Sequence, residues 1–356
     1  MKLFNKKAFR DFFERGFSVY VVAVCFFVFC QVLYILAARG TFVTGPDSVY
    51  PVGAFDQILP GVFFAVIAPF VIVYRKMGTH FSKKSGDLFW SLPVTRTGVW
   101  GSLVTVALAY LGIFLAAMTV TDAITFAVLK NITVEKHYFF AHILLISVLY
   151  LYHLGIALIC LSKSVGPIWY GIYSAGAVYL LLLVAEAWDM LCCSAGFYRT
   201  WEYPTFREFW DSGTGGRMFT GLVDFTRTVF YPGENLKEAW FIFTHIVAVP
   251  IVLGILLLAL SLWTFSGIRT ERVDGKGLSR TMHILFQSTL PWLTWFGMMG
   301  SEFWDMMRGF LILIPVCLVW EGFYQRSIRK IYRAWPGICI GIALSGILVL
   351  VANLSY

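Results

Sequence analysis

The sequence predicts an all-α integral membrane protein with about nine transmembrane helices, and three observations lead there. Of 356 residues, 59% are hydrophobic and 18% aromatic, but only 13% are charged, about half the charged share of a soluble globule. The apolar residues gather in nearly charge-free blocks of 17 or more, and a helix rising about 1.5 Å per residue needs roughly 20 such residues to cross a hydrocarbon core. The cationic residues concentrate in alternate gaps between those blocks, as a chain threaded back and forth through a bilayer requires. Backbone groups in lipid must bond within their own segment, so the blocks are helices, and the alternating strands of a barrel are absent.

In chain order, Met1–Gly16 mixes Leu3, Phe4, Phe9, Phe12 and Phe13 with five basic residues. It reads as an amphipathic lead-in helix at the inner surface, or as a plain charged flank of the first span. Spans are expected at 17–38, 58–74, 99–121, 138–162, 166–187, 239–266, 284–300, 309–325 and 336–353. The seventh is short and holds Pro291, which leaves a re-entrant loop as its alternative. Two longer segments interrupt the rhythm. Residues 75–98 carry a short amphipathic stub, Asp87–Leu92, stopped by Pro93, which cannot donate a helix hydrogen bond. Residues 190–238 set Trp201, Trp210 and other aromatics among charges, the composition of short helices dipping into the headgroup zone.

With the N-terminus inside, segments 1–16, 75–98, 163–165, 267–283 and 326–335 are cytoplasmic and hold 19 of the 28 Lys and Arg residues. The positive-inside rule then orients the chain with an external C-terminus. The +8 formal charge is scattered among short loops and builds no continuous patch, which argues against nucleic acid. Cys25, Cys30, Cys160, Cys317 and Cys339 fall within spans and the vicinal Cys192 and Cys193 outside them. That arrangement offers neither a disulfide framework nor metal-ligand spacing, so the thiols read as packing residues.

No phosphate-binding loop, H-E-x-x-H, C-x-x-C or G-x-S-x-G string occurs, so no enzymatic or metal chemistry is expected in this chain. Gly213–Arg217 is glycine-rich but lacks the Lys-Ser/Thr of an ATP site. His142 and His153 share a helix face eleven residues apart, and His245 lies in the sixth span. Two such histidines could ligate a metal or relay protons. With no carboxylate expected inside those spans, packed, hydrogen-bonded histidines are the reading adopted. The tripeptide Asn131-Ile132-Thr133 matches a glycosylation acceptor, a common chance string.

The string Ser85-Gly86-Asp87-Leu88-Phe89-Trp90-Ser91-Leu92-Pro93-Val94-Thr95-Arg96 resembles the element between the second and third spans of ABC type-2 permeases, which typically carry S-L-P-[VI]-[ST]-R there. Ile268–Arg272 resembles the R-x-S-E-[KR]-x-G signature of the Gram-positive branch of that family, similar to acetoin-operon and bacitracin-type exporter permeases. Trp320–Arg326 followed by Trp335 resembles its I-E-x-x-Y-x-x-D-F…W pattern. Asp274 stands where that branch has Gly, and Ser327-Ile328 replaces its acidic-aromatic pair.

Charge density and loop pattern suggest a six-span body, 1–266, followed by a three-span tail, 267–356, and the resemblance implies that the body is exporter-like. It also implies a separately encoded ATPase partner that holds ATP and magnesium, no cofactor in this chain, a second permease subunit, and residence in a bacterial plasma membrane among its lipids. Asp87, Phe89, Trp90, Leu92, Pro93, Thr95 and Arg96 would then contact the ATPase, with Glu271 and Arg272 supporting a second contact. Tyr20, Phe26, Phe27, Trp201 and Trp210 would line the path of an amphipathic cargo such as a lipid, peptide or antibiotic. The rival reading is a membrane scaffold or sensor subunit that docks a cytoplasmic partner without moving substrate. A membrane-embedded enzyme lacks the paired carboxylates or nucleophile–base set it would need.

Overall fold

The computed structural model describes residues 5–14, 16–42, 50–52, 59–78, 95–129, 132–134, 138–164, 166–194, 248–267, 280–299, 303–325 and 328–354. These are almost entirely helical: α1 (Lys6–Glu14), α2 (Phe17–Phe42), α3 (Leu59–Met77), α4 (Arg96–Val128), α5 (Tyr138–Lys163), α6 (Pro167–Ser194), α7 (Ala248–Ser266), α8 (Arg280–Met299), α9 (Phe303–Gln325) and α10 (Trp335–Leu354). A 3-10 turn covers Ile328–Ala334, and two short strands, β1 (Tyr50–Val52) and β2 (Ile132–Val134), complete the elements. Among the described residues, four stretches are long and apolar enough to cross a membrane: Phe17–Ala37, Pro60–Met77, Arg96–Val128 and Tyr138–Lys163. Ile251–Ser266 is a shorter apolar helix. The expected coupling residues Asp87, Phe89, Trp90, Leu92 and Pro93, with Glu271 and Arg272, and the expected cargo-path residues Trp201 and Trp210, lie outside the described residues.

By its contacts the chain divides into two compact units, residues 1–162 with 209–268 and residues 163–208 with 269–356. α6, counted with the N-terminal body in the six-plus-three reading, falls in the second unit. Its Tyr173 ring lies 5.3 Å from Phe286, and Gly176 leaves room for Phe286 and Leu290 of α8.

The first unit is organised around α4. At 33 residues that helix is about 50 Å long, well beyond a hydrocarbon core of roughly 30 Å. Its inward stripe runs Tyr110, Phe114, Met118, Asp122 and Phe126, all buried and one helical turn apart. Thr105, Thr121 and Thr125 each donate their hydroxyl to the carbonyl four residues back, at 2.7, 2.7 and 2.8 Å, which hides a polar group in an apolar setting.

Contact pairs give the helix directions. Asn5 meets Ser102 and Phe13 meets Tyr110 at the same sequence offset, so α1 runs parallel to the first half of α4. Gly16, with φ +79°, joins α1 to α2; only glycine adopts that conformation without strain. Tyr20 stacks on Tyr110 at 4.1 Å and Phe27 meets Phe114 at 6.5 Å, so α2 also follows α4. α5 runs against α4, since Tyr138 bonds Asp122 while Tyr150 donates to the Ala107 carbonyl. α7 runs against α4 as well, pairing Ser261 with Trp100 and Ser266 with Arg96. α2 and α4 therefore end on the same side, where β1 and β2 pair in parallel register, Tyr50 with Ile132 and Val52 with Val134.

α2 shows why polarity does not mark the inner face of such a helix. Tyr20, Val24, Gln31 and Ile35 are buried, whereas Val19, Val22, Phe26, Phe29, Leu33 and Leu36 are exposed at alternating spacings of three and four. Both faces are apolar because lipid and core favour the same side chains.

In the second unit α8 and α9 pair antiparallel along their length, through His283 with Glu321, Gln287 with Cys317 and Trp292 with Phe310. α8 is continuous through Pro291. Trp292, Leu313, Cys317, Ala334 and Ile338 form the unit's core, where Gly341 admits the Trp292 ring.

Candidate functional site

The string that carries the family resemblance ends at the start of α4, and there the structure is specific. Thr95 has extended backbone, φ −72° and ψ 140°, and its hydroxyl accepts from the Gly98 amide at 3.1 Å. This is an N-cap, and it satisfies one of the donors a helix start leaves open. Arg96 turns away from its own helix and donates through Nη1 to the Ser266 carbonyl at 3.3 Å. One turn on, Trp100 Nε1 donates to Ser261 Oγ at 2.9 Å. Ser102 bonds Asn5 reciprocally, accepting from its amide at 3.0 Å and donating to its carbonyl at 2.9 Å. Three helices are thus fastened to one another within two turns of Thr95.

The next layer is aromatic and cationic. Lys76, at the end of α3, is buried with Nζ 2.8 Å from the Tyr110 hydroxyl and 4.8 Å from that ring's centre. The Tyr110 hydroxyl donates to the Phe13 carbonyl at 2.7 Å, and the Tyr20 hydroxyl donates to the Tyr110 carbonyl. α1, α2, α3 and α4 meet at this point, and Lys76 places its charge over a ring face that favours cations.

Of the expected cargo-path residues, Tyr20 is a buried member of this layer. Phe27 packs edge-on against Phe64 and Phe114, and Phe26 faces outward at 60% exposure. The three do not share one surface. Of the expected ATPase-contacting residues, Arg96 bonds the carbonyl of Ser266, which precedes the Ile268–Arg272 string by two residues, and Thr95 caps the helix beside it.

Two buried polar clusters were missed by sequence reasoning. The histidine-bearing spans themselves hold no carboxylate, but one reaches His142 from a neighbouring helix, because α4 runs past the expected span end at 121, through Asp122, to Val128. Asp122 is fully buried, its Oδ2 2.9 Å from the Tyr138 hydroxyl and 3.2 Å from His142 Nδ1. Gln31 Nε2 donates to the same tyrosine oxygen at 3.3 Å. His153 does not join His142; its Nδ1 lies 2.7 Å from its own helix carbonyl, Leu149. In the second unit His283 Nε2 lies 2.7 Å from Glu321 Oε2, Gln325 Nε2 donates to Glu321 Oε1 at 2.9 Å, and the His283 ring stacks on Tyr324 at 3.6 Å. Sealing a lone carboxylate from water costs several kcal/mol, and each cluster offsets this with an imidazole and neutral donors.

A signal for both existed in the sequence. Asp122 falls four residues after Met118, and Glu321 four after Cys317, each on an inward stripe. Among the described residues no group of three or more His, Cys, Asp or Glu could hold a metal. No family model, curated protein or solved structure matches this chain.

Proposed function

We propose that this chain is the transmembrane permease subunit of an ABC type-2 exporter, crossing a bacterial plasma membrane nine times with its N-terminus and the Thr95 end of α4 in the cytoplasm. The reading draws on the S-L-P-V-T-R string and on one geometric observation, the hydrogen bond from Arg96 to the Ser266 carbonyl. That bond fastens the last residue of one family-like segment to the helix end from which the other departs. A force applied by a partner to the 85–96 stub would reach α4 directly, and α1 and α7 through the Asn5–Ser102 and Ser261–Trp100 bonds. A rigid hairpin is what a rigid-body transmission needs.

Nine crossings are supported by the antiparallel pairing of α8 with α9 on both sides of Pro291, which suits two full spans better than a re-entrant loop. The buried clusters at Asp122 and Glu321 pair side chains of neighbouring helices, α4 with α5 and α8 with α9, and neither reads as a catalytic set. ATP hydrolysis therefore belongs to a partner subunit, and a second permease subunit completes the pathway for an amphipathic cargo.

The test is co-purification. Arg96→Glu is expected to abolish capture of a co-expressed ABC ATPase subunit that the wild-type chain captures, while leaving membrane insertion intact. Undiminished capture would contradict the assignment.

A further inference from the structure

We propose that the turn between α9 and α10 is a docking platform for the headgroup of an anionic phospholipid. Residues Ile328–Ala334 form a 3-10 helix, which has three residues per turn and eclipses side chains three apart. The sequence Ile-Arg-Lys-Ile-Tyr-Arg-Ala follows that period. One column of side chains faces the protein: Ile331 lies against Gly322 of α9, where an added Cβ would meet its Cγ1 at 3.7 Å, and Ala334 is fully buried in the core with Cys317 and Ile338. The other two columns are accessible. Arg329 and Tyr332 stand exposed in one, continued by exposed Trp335 at the start of α10, and half-buried Lys330 and exposed Arg333 form the other. The inward column holds the turn in place while it presents three cations and two rings.

Charge and shape together select a lipid. From Gly322 to Tyr356 the chain carries Arg326, Arg329, Lys330 and Arg333 but no Asp or Glu, and among the described residues no carboxylate pairs with Arg329 or Lys330. The Arg333 guanidinium lies 6.0 Å from the centre of the Tyr332 ring. Exposed Tyr and Trp favour the headgroup zone of a bilayer, and clustered cations at that depth attract anionic lipid. Beyond Trp335, α10 exposes Cys339, Ile340, Ile347 and Leu350, which lie on one side of the helix. A phospholipid whose phosphate met the cations would lay its chains along that apolar side. Free phosphate would gain nothing from the rings or the apolar side. The inference rests on the nine-span reading, in which α9 and α10 both cross the membrane.

Titration of the purified, delipidated full-length chain in neutral detergent with a fluorescent phosphatidylglycerol tests the proposal. A cation close to an anionic lipid surface contributes roughly fivefold in affinity, so the R329Q/K330Q/R333Q variant is expected to bind at least about tenfold more weakly than wild type. K6Q/K7Q/R10Q removes the same charge from exposed positions on α1 and is expected to match wild type. Unlabelled phosphatidylglycerol should displace the probe; phosphatidylcholine and inorganic phosphate should not. Equal loss in the two triple variants would mean diffuse attraction, displacement by phosphatidylcholine a purely apolar contact, and displacement by inorganic phosphate a free-anion site; each overturns the proposal. Should the 329/330/333 variant fail to fold, R329Q alone carries the comparison, with a loss of roughly fivefold expected and an unchanged affinity contradicting the platform. A nitroxide on Cys339, with the other cysteines replaced, separates this outcome from failure of the span reading. In lipid nanodiscs oxygen is expected to relax that label more than a water-soluble nickel chelate does. The reverse order would put α10 in water and overturn the platform together with the spans, whereas an oxygen-favoured label with unchanged lipid affinity in the variants would sink the platform alone.

Discussion

The Arg96 guanidinium donates to the Ser266 carbonyl across 3.3 Å, joining the start of α4 to the end of α7. The bond is partly exposed, so its contribution to stability is modest, about 1 kcal/mol. Arg96→Ala is therefore expected to melt within a few degrees of wild type and, under the proposed exporter function, to lose the coupling of ATP hydrolysis to transport. Thermal unfolding and ATPase assays of the assembled complex check the two halves. A collapse in melting temperature would instead make Arg96 a structural residue.

Thr95 caps α4 with its hydroxyl. Thr95→Ala should cost about 1 kcal/mol, and Thr95→Ser or Thr95→Asp should recover most of it. Denaturation of the purified chain in mild detergent would show the order. An alanine variant as stable as wild type would mean that the cap is redundant with the Asn5–Ser102 bonds.

Gly16 has φ +79°, and a Cβ added there would meet Arg75 Cγ at 3.3 Å. Gly16→Ala should cost about 1–2 kcal/mol through left-handed backbone alone. The damage is expected to localise at the α1–α2 joint, read as faster hydrogen exchange across residues 6–20. Protection unchanged from wild type would count against a fixed joint.

Glu321 and His283 are both fully buried and 2.7 Å apart. Glu321→Ala leaves His283 without its carboxylate and should destabilise the second unit by roughly 3–5 kcal/mol. Glu321→Gln keeps a hydrogen-bond acceptor and should cost clearly less. Equal losses for the two substitutions would show that the carboxylate's charge, and not side-chain shape or hydrogen bonding, governs the site.

Much of this architecture was legible before any coordinates. The helices at 17–42, 59–77 and 138–163 were expected close to where they form, because unbroken apolar blocks admit few alternatives. Thr95 falls in a string read as a stub stopped by Pro93 and as a partner contact, and its role as a helix cap was not foreseen there. Three further features escaped for physical reasons. Hydropathy falls at Thr121-Asp122, so a window drawn on apolarity ends there, although helix geometry continues to Val128. Partners such as His283 and Glu321 are 38 residues apart, and nothing local announces their meeting. The lipid and core faces of α2 are equally apolar, so Phe26 and Phe27 could not be told apart by polarity although they face different surroundings.

Side-specific labelling tests the central claim, that the Thr95 end of α4 faces the cytoplasm, most directly. In a chain whose seven native cysteines are replaced by serine or alanine, single cysteines at positions 95 and 133 are exposed in intact cells to a membrane-impermeant maleimide. The account predicts labelling at 133, in the strand beside the far end of α4, and protection at 95 until the cells are opened. Reaction at 95 from the medium, with 133 protected, would contradict it.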